Sequence, residues 1–186
     1  MMLRGVVLFL ALWTSILCAA DTELRLYRPF AATDKHPKPH IEQSLMGDCS
    51  EQSFLIKRED AWRCIANHTI YDPCFVNTYG TRQIAVCPYS PWFANSIEIK
   101  VNGSLDNKSH HALDMSEAYP WAIELADGTK CSAVGQGEAY DGLPIRYRCG
   151  ENTALIGDLQ RCTPTWKILK QEGRNIGISE IKQAWF

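Results

Sequence analysis

Trp121-Ala122-Ile123-Glu124-Leu125-Ala126-Asp127-Gly128-Thr129-Lys130-Cys131 is the stretch that decides the fold. Apolar and polar residues alternate on either side of Asp127-Gly128, a dipeptide that favours a two-residue type I′ turn between antiparallel strands. With Asp127-Gly128 in the turn, Trp121 is expected opposite Val134, Ile123 opposite Ser132 and Leu125 opposite Lys130. Cys131 then shares the other face with Ala122, Ala126 and Ala133, so both faces are partly apolar. A sheet covered on both sides produces that pattern, and so does a register one residue different.

The same period continues outward from this hairpin. Residues 53–56 and 61–65 flank the polar Lys57-Arg58-Glu59-Asp60 and predict a second hairpin with a four-residue loop. Residues 83–87 form a short strand, and 96–101 alternate Ile97, Ile99 and Val101 against Ser96, Glu98 and Lys100. Residues 145–149, 166–169 and 178–186 extend the series, separated by Gly, Pro or Asn. Only 107–118 reads as either a short helix or a loop. Short strands at this spacing predict an all-β fold, a small antiparallel barrel or a sandwich of hairpins, over residues 48–186.

The N-terminus carries a different signal. Arg4 precedes an apolar run over 6–17 that ends in Cys18-Ala19-Ala20. The run is shorter than the ~20 residues a membrane helix needs, so it predicts a signal peptide cleaved near Ala20 and a secreted, extracellular or periplasmic, protein. Leu17, where a lipoprotein has a small residue, argues against lipidation of Cys18. Residues 21–47 lack cysteine, and 31–40 are polar with Pro37 and Pro39, which predicts a flexible leader. Within it, Glu23 to Tyr27 alternate well enough for an edge strand. His36 and His40 would share a helical face as metal ligands, but the prolines oppose that helix. Residues 181–186, ending in Phe186, lack the outward apolar alternation of an outer-membrane strand.

Cleavage removes Arg4 from the 19 Lys plus Arg, leaving 18 against 21 Asp plus Glu, a formal charge of −3. No basic run is present, which disfavours nucleic acid and anionic membranes as partners. Five of the 6 Trp and seven of the 8 Cys remain in the mature chain. Disulfides persist only in oxidising surroundings, and seven thiols allow roughly a hundred arrangements with three bridges. Nearest neighbours straddle turns: Cys49 with Cys64, Cys74 with Cys87 and Cys131 with Cys149. Adjacent antiparallel strands bring such Cα atoms within reach of a bridge. Cys162 is left as a free thiol, read either as a buried inert group or as the link of a disulfide-bonded dimer of an otherwise monomeric protein. A nucleophilic thiol needs a depressed pKa and a histidine partner, and no histidine is near it in sequence.

Gly47-Asp48-Cys49, Asp60-Ala61-Trp62-Arg63-Cys64, Ile70-Tyr71-Asp72-Pro73-Cys74-Phe75 and Val86-Cys87-Pro88 resemble an uncharacterised family of small secreted bacterial cysteine-containing domains. The 120–131 stretch, Tyr147-Arg148-Cys149, Pro164-Thr165-Trp166 and Ala184-Trp185 follow the same order. The resemblance implies secretion, a boundary near residue 47 and the three cysteine couples, and it implies no activity. Cys162 departs from its pattern. A bacterial source would leave the glycosylation sequons at Asn67, Asn102 and Asn107 unused.

Catalytic residue types are scattered. His68 and Asp72 lie close in sequence, and Ser44, Ser50 or Ser53 would complete a hydrolase triad only through tertiary placement, with no nucleophile-elbow motif. Asp72 before Pro73 reads as a turn former whose carboxylate accepts backbone N–H groups. His110 and His111, with Asp114 and Glu117, offer ligand types without zinc-like spacing, so no metal and no cofactor is expected. Pro88-Tyr89-Ser90-Pro91-Trp92-Phe93 is aromatic without alternation, and Tyr89, Trp92 and Phe93 are the candidate binding residues, for a glycan or a protein. The competing role for Trp92 and Phe93 is to cap the core. The expected function is a non-enzymatic binding or interaction domain; the alternatives are an inhibitor of a hydrolase and an enzyme without a linear motif.

Three bridges of about 3 kcal/mol each total about 9 kcal/mol, comparable with the whole stability of a typical domain. Excess dithiothreitol is therefore expected to abolish the cooperative melting transition. An unchanged melting temperature would contradict this.

Overall fold

The computed structural model describes residues 20–31, 38–80, 82–135 and 137–186. The expected signal peptide, with Cys18, and His36 lie outside the described residues. In chain order the strands are β1 (Glu23–Arg25), β2 (His40–Met46), β3 (Asp48–Gln52), β4 (Ala61–Ala66), β5 (Thr69–Val76), β6 (Ile84–Pro88) and β7 (Asn95–Lys100). They continue as β8 (Ala122–Leu125), β9 (Lys130–Ala133), β10 (Ala139–Tyr140), β11 (Leu143–Arg148), β12 (Thr153–Gln160), β13 (Lys167–Glu172) and β14 (Asn175–Trp185). The fold is all-β, with no helix among the described residues; 107–118 is an irregular loop with turns at 108–109 and 115–117.

β8, β9, β11, β12, β13 and β14 close into an antiparallel barrel, β14 returning to pair with β8. β2 to β7 form a second sheet in the order β2-β7-β6-β5-β4-β3. Its two edge strands are consecutive in the chain, joined only by Gly47, so this sheet is rolled. A Cβ at Gly47 would stand 2.5 Å from the Ile65 carbonyl oxygen and 3.1 Å from Ile99 Cγ2, so only glycine fits where the edges meet. Inside the roll lie Trp62, Ala66, Ile97, Ile99 and the two bridges Cys49–Cys64 and Cys74–Cys87. The third bridge, Cys131–Cys149, belongs to the barrel. Each joins nearest-neighbour cysteines at Cα separations of 4.1, 4.0 and 4.1 Å.

The decisive hairpin is present, but one residue out of the expected register: Ala122 faces Ser132, Ile123 faces Cys131 and Glu124 faces Lys130. In this turn only Gly128 has positive φ, at 84°. Gly128 N–H donates to Leu125 O, and Leu125 N–H to Thr129 O, both at 2.9 Å. This is a three-residue loop, a type I turn followed by a left-handed bulge glycine, not a type I′ turn. The Asp127 carboxylate accepts the Thr129 N–H at 2.8 Å and Lys170 Nζ at 3.0 Å; the Thr129 and Lys170 hydrogen bonds hold its pKa down at about 2. The corrected register buries Ile123, Leu125 and Cys131 together on one face. Type I′ geometry occurs instead at Asn67-His68, with φ of 48° and 62°.

Two further expectations are corrected. Residues 53–56 are not a strand; β3 ends at Gln52, and the chain loops so that Ile56 enters the core at 1% exposure. Residues 21–47 are not a leader throughout, because β1 pairs in parallel with the end of β14 and β2 in parallel with β7. Thr22 locks β1 in place: its Oγ1 donates to Ile181 O at 2.6 Å and accepts Trp166 N–H at 2.8 Å. Cys162 is unbridged and exposed, so the buried-thiol reading falls and the surface position suits intermolecular bridging.

One buried cluster spans the roll and the barrel, combining Ile56, Ala61 and Phe75 with Trp121, Tyr147, Ile181 and Phe186. Tyr27 packs against Phe75 and Trp121 at centroid distances of 5.2 and 5.6 Å. Arg58, 4% exposed, grips Asp60 with Nε at 2.5 Å and Nη2 at 2.6 Å, and donates from Nη1 to Phe186 O at 2.9 Å. Its guanidinium also lies 4.6 Å from the centre of the Phe75 ring. Arg58→Ala leaves Asp60 and a buried oxygen without their donor, so it is expected to cost about 3 kcal/mol in urea unfolding. A change below about 1 kcal/mol, the scale of an exposed ion pair, would contradict that role.

Candidate functional site

β6 and β7 are neighbours, with Cys87 opposite Ile97 and Pro88 opposite Ser96. The loop between them is thus clamped at both ends, and the Cys74–Cys87 bridge ties its first strand to β5. Pro91, Trp92 and Phe93 in this loop form one wall of a groove of about 430 Å³. The chain leaving β1 supplies the opposite wall with Tyr27, Arg28 and Pro29, while β1, β8 and β14 contribute Arg25, Glu124, Gln183 and Trp185. This volume lies within the roughly 300–1,000 Å³ range of small-molecule sites.

Phe93 is 67% exposed, so its ring is available to a ligand. Trp92 is half-buried and packs against the barrel core, which makes it cap and wall at once. Its indole N–H has no hydrogen-bond partner among the described residues, and Lys130 Nζ lies 5.6 Å from the ring centre. Tyr89 is 56% exposed but does not line the groove. Among the polar groups, Arg25 bonds Glu23 at 2.9 Å and covers Trp185 at 5.1 Å, and the Arg25 hydrogen bond holds the Glu23 carboxyl below its usual range. Glu124 accepts from Lys182 Nζ at 2.7 Å.

Of the hydrolase-triad candidates, Ser53 and Asp72 are brought together, and no histidine hydrogen-bonds to either among the described residues. Ser53 is fully buried and donates to Asp72 Oδ1, while Phe54 N–H donates to Oδ2 at 3.0 Å. The Ser53 oxygen accepts the N–H groups of Leu55 and Ile56 at 3.2 and 3.1 Å. These bonds tie a loop to the cis Asp72-Pro73 peptide, and His68 is spent in the Asn67-His68 turn. His110 Nδ1 is 3.1 Å from Glu59 O and its ring packs tilted, at 52°, against Trp62 with centroids 4.1 Å apart. Partial burial holds the His110 pKa below its usual value. His111 engages Gln52 through its backbone, and Asp114 caps a turn by accepting from Ser116. Ser44 bonds Glu98 at 2.9 Å. The Sγ atoms of Cys64, Cys74 and Cys87 lie within 4.8 Å of one another, but all three are bridged and offer no thiolate to a metal. The Asn107 amide donates to Glu59 O and accepts from Arg82, so this sequon is engaged in packing.

Sequence reasoning found Trp92 and Phe93 through their Pro-rich run. It missed Arg25, Tyr27, Arg28, Glu124, Gln183 and Trp185, which come together only through the pairing of β1 with β14. Comparison with known family profiles, characterised proteins and solved structures finds no match for this chain.

Burial raises the Asp72 carboxyl above its usual range, against the Ser53 and Phe54 donors that lower it. A carboxyl raised in the folded state favours folding while protonated, and that contribution is lost as pH rises through its folded pKa. The urea midpoint of the parent relative to Asp72→Asn is therefore expected to fall as pH is raised from about 3 to 7. A pH-independent difference would contradict this.

Proposed function

We propose that this is a secreted, non-enzymatic binding domain whose ligand seat is the groove between the 89–94 loop and the β1–β14–β8 surface. Three intramolecular disulfides are consistent with an oxidising extracellular or periplasmic location. Among the described residues no helix is long and apolar enough to cross a membrane. The observation that carries the reading is Phe93, a large aromatic 67% exposed on a loop clamped at both ends. Leaving such a ring in water gains nothing for folding, whereas rigid aromatic rings anchor partners at low entropic cost. The seat combines ring faces with several polar side chains, which is the composition of a binding site. Ser53, Asp72, His68, His110 and Asp114 are engaged in turns and packing.

The reading is tested by presenting the oxidised mature protein to combined glycan and peptide arrays, beside Phe93→Ala. The parent is expected to give ligand signals that Phe93→Ala loses, with its melting temperature within a few degrees of the parent because the ring is exposed. Signals that persist in Phe93→Ala, or none in the parent, would contradict the assignment.

A further inference from the structure

We infer that the groove takes an acidic saccharide, with its carboxylate held by Arg28 at the rim; this deepens the binding-domain reading and rests on it. Arg25 is satisfied by Glu23 and Glu124 by Lys182. Arg28 lines the groove and is exposed, and its side chain has no hydrogen-bond, carboxylate or ring partner among the described residues. Lys130, over the Trp92 ring, likewise has no carboxylate partner there. The charges of the groove lining thus cancel except for Arg28. A guanidinium free of local partners binds a carboxylate through two parallel hydrogen bonds.

The groove has little edge to offer a peptide backbone. An extended peptide gains affinity by pairing with a free strand edge. β14 is paired on both edges at Gln183 to Trp185, with β8 on one side and β1 on the other, and the unpaired outer edge of β1 is only three residues long. Pro29, Pro39 and Pro91 line the groove and have no N–H to offer. Recognition must therefore run through side chains. The groove offers flat rings in Phe93 and Trp92, and planar amide, carboxylate and guanidinium groups in Gln183, Glu124 and Arg25. A pyranose presents matching chemistry, with an apolar C–H face for the rings and equatorial hydroxyls for the planar polar groups. An acidic pyranose adds a carboxylate for Arg28, which has none among the described residues.

The test is calorimetric titration of the oxidised mature protein with three matched pairs: trigalacturonate and its methyl ester, sialyllactose and lactose, trimannuronate and mannotriose. At least one acid is expected to bind about ten-fold tighter than its neutral match. Arg28→Gln is expected to erase that ratio by weakening the acid about ten-fold, with the melting temperature unchanged, and Phe93→Ala to weaken both members of the pair. Equal affinity within every pair overturns acidic recognition while the groove reading stands. No saccharide binding at millimolar concentration, together with array peptides that Phe93→Ala loses, makes the occupant a peptide and overturns the inference alone. No saccharide binding and no ligand sensitive to Phe93→Ala overturns both.

Discussion

The structure depends on the way β14 distributes its hydrogen bonds. Its first half, from Asn175 to Glu180, pairs with β13, and its second half, from Ile181 to Trp185, pairs with β8 and closes the barrel. A shift of register between Ile181 and Gln183 accompanies the change of partner, as bulges commonly re-aim a strand. Closure removes the free edges that invite aggregation. It also leaves the β13 side of residues 183–185 uncovered, because β13 begins only at Lys167. β1 fills that place, and the chain leaving it carries Tyr27, Arg28 and Pro29 across to face the 89–94 loop. Without the bulged closing strand, these residues would have no reason to stand beside Trp185 and Glu124.

No disulfide joins the rolled sheet to the barrel. Each bridge lies within one of the two units, so the seam between them is held by packing and by Arg58. Phe75, Trp121 and Phe186 are each at most 2% exposed, and burying one such side chain is worth about 1.5–3 kcal/mol. Arg58 adds direction to this apolar contact, since its guanidinium serves Asp60 on the roll and Phe186 on the barrel side at once. The groove lies along the same seam, with one wall from each unit. Its shape is therefore set by a non-covalent contact, while the bridges keep each wall rigid.

Local features of the fold were legible in the sequence and distant ones were not. Cysteine couples could be read because each closes a turn between neighbouring strands, and period-two alternation marked β7 and the β8–β9 hairpin. The register of that hairpin was misread because Asp-Gly suits two turn types. Asp127 bonding back to the Thr129 N–H favours the three-residue loop with only the glycine left-handed. β1 was legible as an edge strand from its alternation, whereas β2 was missed because it pairs in parallel with a distant segment, and such pairing leaves no turn signal nearby. The site followed the same division. Trp92 and Phe93 stand out in a run without alternation, whereas Arg28 and Trp185, over 150 positions apart in the chain, become neighbours only through the pairing of β1 with β14.

The central claim, that ligand is received at this seam, is tested most directly by fluorine NMR of protein labelled with 5-fluorotryptophan. The mature chain holds Trp62, Trp92, Trp121, Trp166 and Trp185, one probe inside the roll, two in the barrel core and two at the groove. On titration with the tightest acidic saccharide, the resonances of Trp92 and Trp185 are predicted to shift while the other three stay in place. Movement of Trp62, Trp121 or Trp166 with Trp92 and Trp185 unchanged would contradict the account.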